Sequence, residues 1–180
     1  MKQVIRKAYW NFEREENWLN SLAAQGLALT DYSWCRYVLE DSQPGEYIYR
    51  IELLDHSARH PESRRYIEFV ESTGAECVAT YMRWVYFRKK AADGPFELYS
   101  DNASRIRHYR KVRAFWLGLL ILEITAFALN FAVLFVPPMP IANLVCACLL
   151  FVLIVLFSFL FFGMTRRIRA LKRAQKVAES

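Results

Sequence analysis

Few residues in this chain have the type and spacing for chemistry. His56 and His60 are four apart, with Asp55 and Glu62 beside them. On a helix, that spacing puts two imidazoles on one face, as a metal site requires. Pro61 follows immediately, and proline opens helices but is excluded from their interiors. The stretch therefore reads as a solvated loop, and no metal ligand is assigned. His108 lies among arginines, where lipid phosphates are the expected neighbours. Glu123 is the single charged residue between Ala114 and Met164. If that run crosses a bilayer, its carboxyl is costly and a functional candidate by default. It could carry a proton, bind a partner's cation or hold an oligomer together. Asn130 is seven residues on, two turns along and close to the same face. The preferred reading is a contact between helices, with a protonated Glu123 bonded near Asn130, to Ser158 or to a second copy.

Catalytic signatures are missing. There is no nucleophile elbow, P-loop or dinucleotide fingerprint, and the 6 glycines do not cluster. No catalytic or cofactor-binding residue is assigned, no cofactor is expected, and the chain is read as a non-enzyme. The stretch "YMRWVYFRKK" mixes aromatics with cations as RNA-binding sheets do. Strand alternation splits it into one face with Met82, Trp84 and Tyr86 and another with Tyr81, Val85 and Phe87. In "YIYRIELLD", Tyr47, Tyr49, Ile51 and Leu53 look like core, opposite Ile48, Arg50 and Glu52. One sheet face is thus left for a ligand, a peptide or a second copy. Its candidate residues are Arg50, Glu52, Trp84 and Tyr86.

These residues must be positioned by two very different parts of the chain. The net charge of +6 and pI near 9.2 suggest a nucleic-acid binder only until they are divided. Residues 1–100 carry a net −2, residues 101–113 +4, residues 114–164 −1 and residues 165–180 +5. The globular part is slightly acidic, which argues against nucleic acid. The positive charge brackets an apolar block. Ala114–Val136 is 23 residues, or about 34 Å as a helix, against about 30 Å of hydrocarbon. "PPMP", residues 137–140, turns the chain, and residues 141–164 form a second span. Arg105, Arg107, Arg110, Lys111 and Arg113 precede the pair; Arg166, Arg167, Arg169, Lys172, Arg173 and Lys176 follow it. The positive-inside rule then puts both termini in the cytoplasm of a multi-pass cell-membrane protein. These basic collars are expected to hold anionic lipid headgroups. The N-terminus lacks the apolar core of a signal peptide. Cys35, Cys77, Cys146 and Cys148 show no paired spacing and are expected to be reduced.

Residues 1–92 read as an α+β domain. "QVIRKAYW" suits a strand. Asn11 can cap a helix with the stripe Trp18, Leu19, Leu22 and Ala23, ended by Gly26. "LALTDYSWCRYVLED" and "YIYRIELLD" read as a strand pair about Pro44-Gly45. Pro61 opens a second helix, with Tyr66, Ile67 and Val70 inward, and Gly74 closes it. "AECVATYMRWVYFRKK" reads as one long last strand. The order is βαββαβ, a ferredoxin-like domain with two helices on one face of four strands. Residues 93–101 form a packed connector through Phe96, Leu98 and Tyr99. Asp101 can cap a basic juxtamembrane helix over 102–113 that runs into the first span.

"EENWLNSLAAQGLAL", "PGEYIYRIELLD", "RRYIEFVESTGAECVATYMRWVYFRKK" and "GPFELYSDNASRIRHY" resemble the bacterial proteins grouped as domain of unknown function 2812. The resemblance covers roughly residues 5–110. It implies a C-terminal pair of spans and, in many Gram-positive genomes, a neighbouring PadR-like regulator. It implies no activity and no catalytic residue. The resulting expectation is a membrane-anchored sensor or adaptor that binds a protein partner or a second copy. The alternatives are an accessory subunit assembled through its spans and, third, a membrane-associated enzyme.

Overall fold

The computed structural model describes residues 2–99, 101–136 and 141–178, with side chains as far as Gln175. The chain forms two compact units, residues 1–100 and 101–180. The first contains β1 (Lys2–Arg6), α1 (Phe12–Ala24), β2 (Leu27–Ser33), β3 (Arg36–Asp41), β4 (Tyr47–Leu53), α2 (Pro61–Ser72), β5 (Ala75–Tyr81) and β6 (Trp84–Lys90). A short 3-10 turn follows at Ala91–Asp93.

The α+β class and the helix positions are those expected, but the strands are finer. Residues 27–41 and 75–90, each expected as one strand, are both hairpins. Trp34-Cys35 and Met82-Arg83 form the two-residue loops, between Ser33↔Arg36 and Tyr81↔Trp84. Such loops need a positive φ, usually from Gly or Asn. Here Cys35 (φ 57°) and Met82 (φ 55°) adopt it, so no turn residue marks either loop. Two antiparallel three-stranded sheets result, ordered β1-β3-β2 and β4-β6-β5. The same strand–helix–strand–strand unit therefore occurs twice, its last strand central each time. Even the irregularities correspond, with register shifts between Leu29 and Asp31 in β2 and between Cys77 and Ala79 in β5.

Local chemistry fixes the helix ends. Asn11 Oδ1 accepts the Glu13 and Arg14 N–H groups at 2.9 and 3.4 Å. The α1 chain leaves through Gly26, at φ 83°, whose N–H donates to Ala23 O at 3.0 Å. Pro61 occupies the first turn of α2, and His60 Nδ1 accepts the Glu62 N–H at 3.3 Å.

Two apolar clusters organise the unit. Leu19, Leu22 and Ala23 of α1 pack with Leu29, Tyr37 and Leu39 from one sheet and Tyr49, Ile51, Ala79 and Tyr86 from the other. Val85 and Phe87 point the opposite way, to Val70 of α2, with Leu54, Ala75 and Phe96. The second sheet is thus buried on both faces. Phe96 and Leu98 of the connector join that second cluster.

The second unit is a helix pair, α3 (Asn102–Val133) and α4 (Ile141–Ala178). Asp101 Oδ1 accepts the Ser104 N–H at 2.6 Å, and α3 runs unbroken from its basic start into its apolar part. Trp116 meets Phe157 at 5.5 Å between ring centres, and Phe127 meets Phe151 at 6.3 Å. Both helices are long and apolar enough to cross a membrane, with mean hydropathies of 1.9 and 3.2 in windows only 6% and 17% buried. A core helix of a soluble domain would be mostly buried. The expected proline turn at 137–140, and the Lys176 side chain, lie outside the described residues.

Candidate functional site

The densest polar chemistry in the first unit begins at Glu15. Its position continues the apolar stripe of α1, four residues before Leu19 and seven before Leu22, so it points inward. The residue is 7% exposed. Tyr37 of β3 and Tyr86 of β6 donate their hydroxyls to Glu15 Oε1 at 2.6 and 2.7 Å. One carboxyl oxygen therefore ties α1 to both sheets. Burial raises the Glu15 carboxyl above its ordinary range, and the two phenols draw it partly back. Burial also drives both phenols upward, with the nearby Glu15 charge adding to the effect. No ion pair to Glu15 occurs among the described residues.

Aromatic rings surround this carboxyl. Tyr32 lies 4.8 Å from Tyr37, 4.6 Å from Tyr86 and 5.8 Å from Tyr81. Trp18 stands edge-on to Tyr37 at 4.8 Å and leads to Tyr9 at 5.4 Å. Phe12 and Trp84 approach to 6.0 Å. Tyr9, Trp18, Tyr32, Tyr81 and Trp84 are all partly exposed, so the cluster runs from solvent to the buried acid. At its rim, Lys7 Nζ lies 4.9 Å from the centres of both the Tyr9 and Trp18 rings. A cation is already held on π faces there.

Next to Glu15, Glu16 takes a different role. Glu16 Oε2 accepts the Ile51 N–H at 2.9 Å, and Arg50 Nη1 lies 3.5 Å from Oε1. Burial raises this carboxyl too, against the Ile51 N–H and the Arg50 charge. One turn on, the Asn20 amide accepts the Tyr49 N–H at 2.8 Å and donates to Tyr49 O at 3.2 Å. These two α1 side chains occupy the outer edge of β4.

The sheet-face residues singled out from the sequence are not brought together. Trp84 and Tyr86 face α1 and the first sheet. Glu52 lies on the other face, 4% exposed, and its Oε2 accepts the Tyr66 hydroxyl of α2 at 2.9 Å. Arg50 Nη2 pairs with Glu97 at 3.1 Å. The face expected to await a partner is covered by α2 of the same chain. Glu15 and Tyr37 were missed as site residues. The available signal was an acid in register with the stripe at Leu19 and Leu22.

In the helix pair, Asn130 bonds across to Asn143, whose Nδ2 donates to Asn130 Oδ1 at 3.3 Å. Glu123 Oε2 is buried without a hydrogen-bond partner among the described residues. Arg105, Arg107, Arg110, Arg166, Arg167 and Arg169 are exposed, while Lys111 and Arg113 are half-buried. Arg113 lies over the Phe161 ring at 5.9 Å. His108, expected among lipid phosphates, is 3% exposed and thus buried.

Fold and site define an α+β protein with a buried carboxyl–aromatic cluster and two helices able to cross a membrane. Residues 11–121 match a family model described as protein of unknown function (DUF2812). The chain belongs to that family. A search of the curated proteins found no match, and a search of the solved structures found none.

Proposed function

We propose that this is a two-span cell-membrane protein whose N-terminal domain acts by binding, as an anchored sensor or adaptor in the cytoplasm. Two exposed apolar helices bracketed by basic residues support the anchoring. Arg105, Arg107, Arg110, Lys111 and Arg113, with Arg166, Arg167 and Arg169, would meet anionic headgroups. The observation that carries the binding reading is Glu15, a buried acid with no ion pair among the described residues, beneath partly exposed aromatic rings. A carboxyl so placed favours a cation, and the rings supply π faces for one. The ligand class is an organic cation, and the output is a changed contact with a cytoplasmic partner. A PadR-type regulator is the partner class that the family resemblance implies.

The test uses the full chain in lipid nanodiscs, with tryptophan fluorescence followed as benzyltrimethylammonium is added. Saturable quenching is expected, weakened about tenfold or more by Glu15→Gln and by Trp18→Leu. No saturable change, or one untouched by both substitutions, refutes the reading. The unpartnered Glu123 oxygen favours a second reading, an accessory subunit assembled through its spans. Unchanged complex size after Glu123→Leu, measured by native mass spectrometry, would rule that reading out.

A further inference from the structure

We propose that His56, His60 and Glu62 form a binding site for a divalent first-row transition ion of the zinc class. Proline does break the pattern as the sequence suggests, and His56 and His60 do lie in the loop before α2. The loop nevertheless closes on itself. The His60 N–H donates to Ser57 O at 2.9 Å, and Ser63 Oγ donates to His56 O at 3.3 Å. This folding does what one helical turn would have done. The two imidazoles stack with centres 4.1 Å apart and planes 30° from parallel. His56 Nε2 stands 3.3 Å from Glu62 Oε2. One ligand atom from each of the three residues can be chosen so that all lie within 4.8 Å of one another.

One distance is compatible with an ion. The 3.3 Å His56–Glu62 separation is long for a charge-assisted hydrogen bond, which runs about 2.7–2.9 Å. It matches the edge of a zinc tetrahedron, about 3.4 Å for ligand bonds of about 2.0–2.2 Å. The donor set selects the metal. Two imidazoles and one carboxylate suit zinc and its first-row neighbours, whereas magnesium and calcium prefer oxygen throughout. A fourth position would be open to water.

Loading would also cost α2 its cap. His60 Nδ1 accepts the Glu62 N–H, so the neutral ring carries its proton on Nε2. A metal on Nδ1 displaces that N–H. A metal on Nε2 moves the proton to Nδ1, which can then no longer accept. Metal and cap exclude each other at His60, so the first turn of α2 reports occupancy.

Calorimetry of the full chain in detergent micelles with zinc chloride tests the site. One ion per chain is expected, with affinity reduced about tenfold or more by His56→Ala and by His60→Asn. The second variant keeps a side-chain cap on α2 while removing the imidazole. Cobalt loading should give a visible spectrum without a thiolate charge-transfer band, which separates this site from Cys35 and Cys77. Wild-type binding weaker than about 1 mM overturns the proposal. So does undiminished binding in both variants, or a thiolate band.

Discussion

Removing the Tyr37 hydroxyl should expose the charge state of Glu15. In Tyr37→Phe, the ring stays in a site that is 0% exposed, and the 2.6 Å bond to Glu15 Oε1 is lost, together with the hydroxyl's weaker contact with Tyr32. A hydrogen bond to an ionised group contributes about 1.5–3 kcal/mol, and one between neutral groups about 0.5–1.5 kcal/mol. The substitution should therefore cost near the larger figure where Glu15 is charged and near the smaller where it is protonated. Burial holds the folded Glu15 carboxyl above its ordinary 4.5. Between 4.5 and that raised value, the native state binds more protons than the unfolded state. Wild-type stability thus falls as pH rises through this window, and the penalty is complete above it. The Tyr37 bond lowers the folded value, so its loss steepens the fall. Glu15→Gln removes the Glu15 share of the slope. Glu16, also raised by burial, leaves a residual slope of the same sign. The assay is urea unfolding of the full chain in micelles, followed by tryptophan fluorescence from about pH 4 to about pH 9. The Tyr37→Phe cost should grow with pH in the wild-type background and stay flat in Glu15→Gln. An equal cost at every pH and in both backgrounds would refute a charged, phenol-supported Glu15.

Other outcomes follow from single contacts. Gly26→Ala should lower stability by more than about 1 kcal/mol, because φ is 83° and the new Cβ would lie 2.9 Å from Ser42 O; thermal unfolding measures it. Burial pushes the Cys77 thiol up to about 11, so iodoacetamide near neutral pH should label it far more slowly than in the urea-unfolded chain. Asn143→Leu should loosen the helix pair by about 0.6 kcal/mol. Adding it to Asn130→Leu should cost no more than Asn130→Leu alone, since the same 3.3 Å interhelical bond is lost either way and the Asn130 bond to Ala126 O lies within α3. A thermal-shift double-substitution cycle in micelles checks that non-additivity.

The sequence was most legible where one residue type has one job. Asn11, Pro61 and Asp101 open helices as their chemistry dictates, and Gly26 closes one because only glycine tolerates that backbone so near Ser42. Apolar length made the two long helices plain. The hairpins were hidden because Cys35 and Met82, neither a turn residue, carry the positive φ. Without those turns, six strands looked like four, and the repeat of the strand–helix–strand–strand unit was lost. The site was hidden for another reason. Glu15 lies in an acidic first turn, where carboxylates ordinarily face water near helix N-termini. Only its register with Leu19 and Leu22 distinguishes it from Glu13. The His56–His60 approach depends on a loop closure that periodicity does not encode.

Asn20 and Glu16 have a further consequence. An uncovered outer strand is a template on which another chain can add itself. The Asn20 amide presents one acceptor and one donor to Tyr49, as a peptide group of a neighbouring strand would, and Glu16 takes the next outward N–H. Helix α1 thus impersonates the missing neighbour along β4. If the two long helices anchor the chain in a membrane as proposed, copies are concentrated on a two-dimensional surface, and such insulation matters more than in dilute solution. Loss of Asn20 would then be felt first as self-association between copies, before any loss of fold.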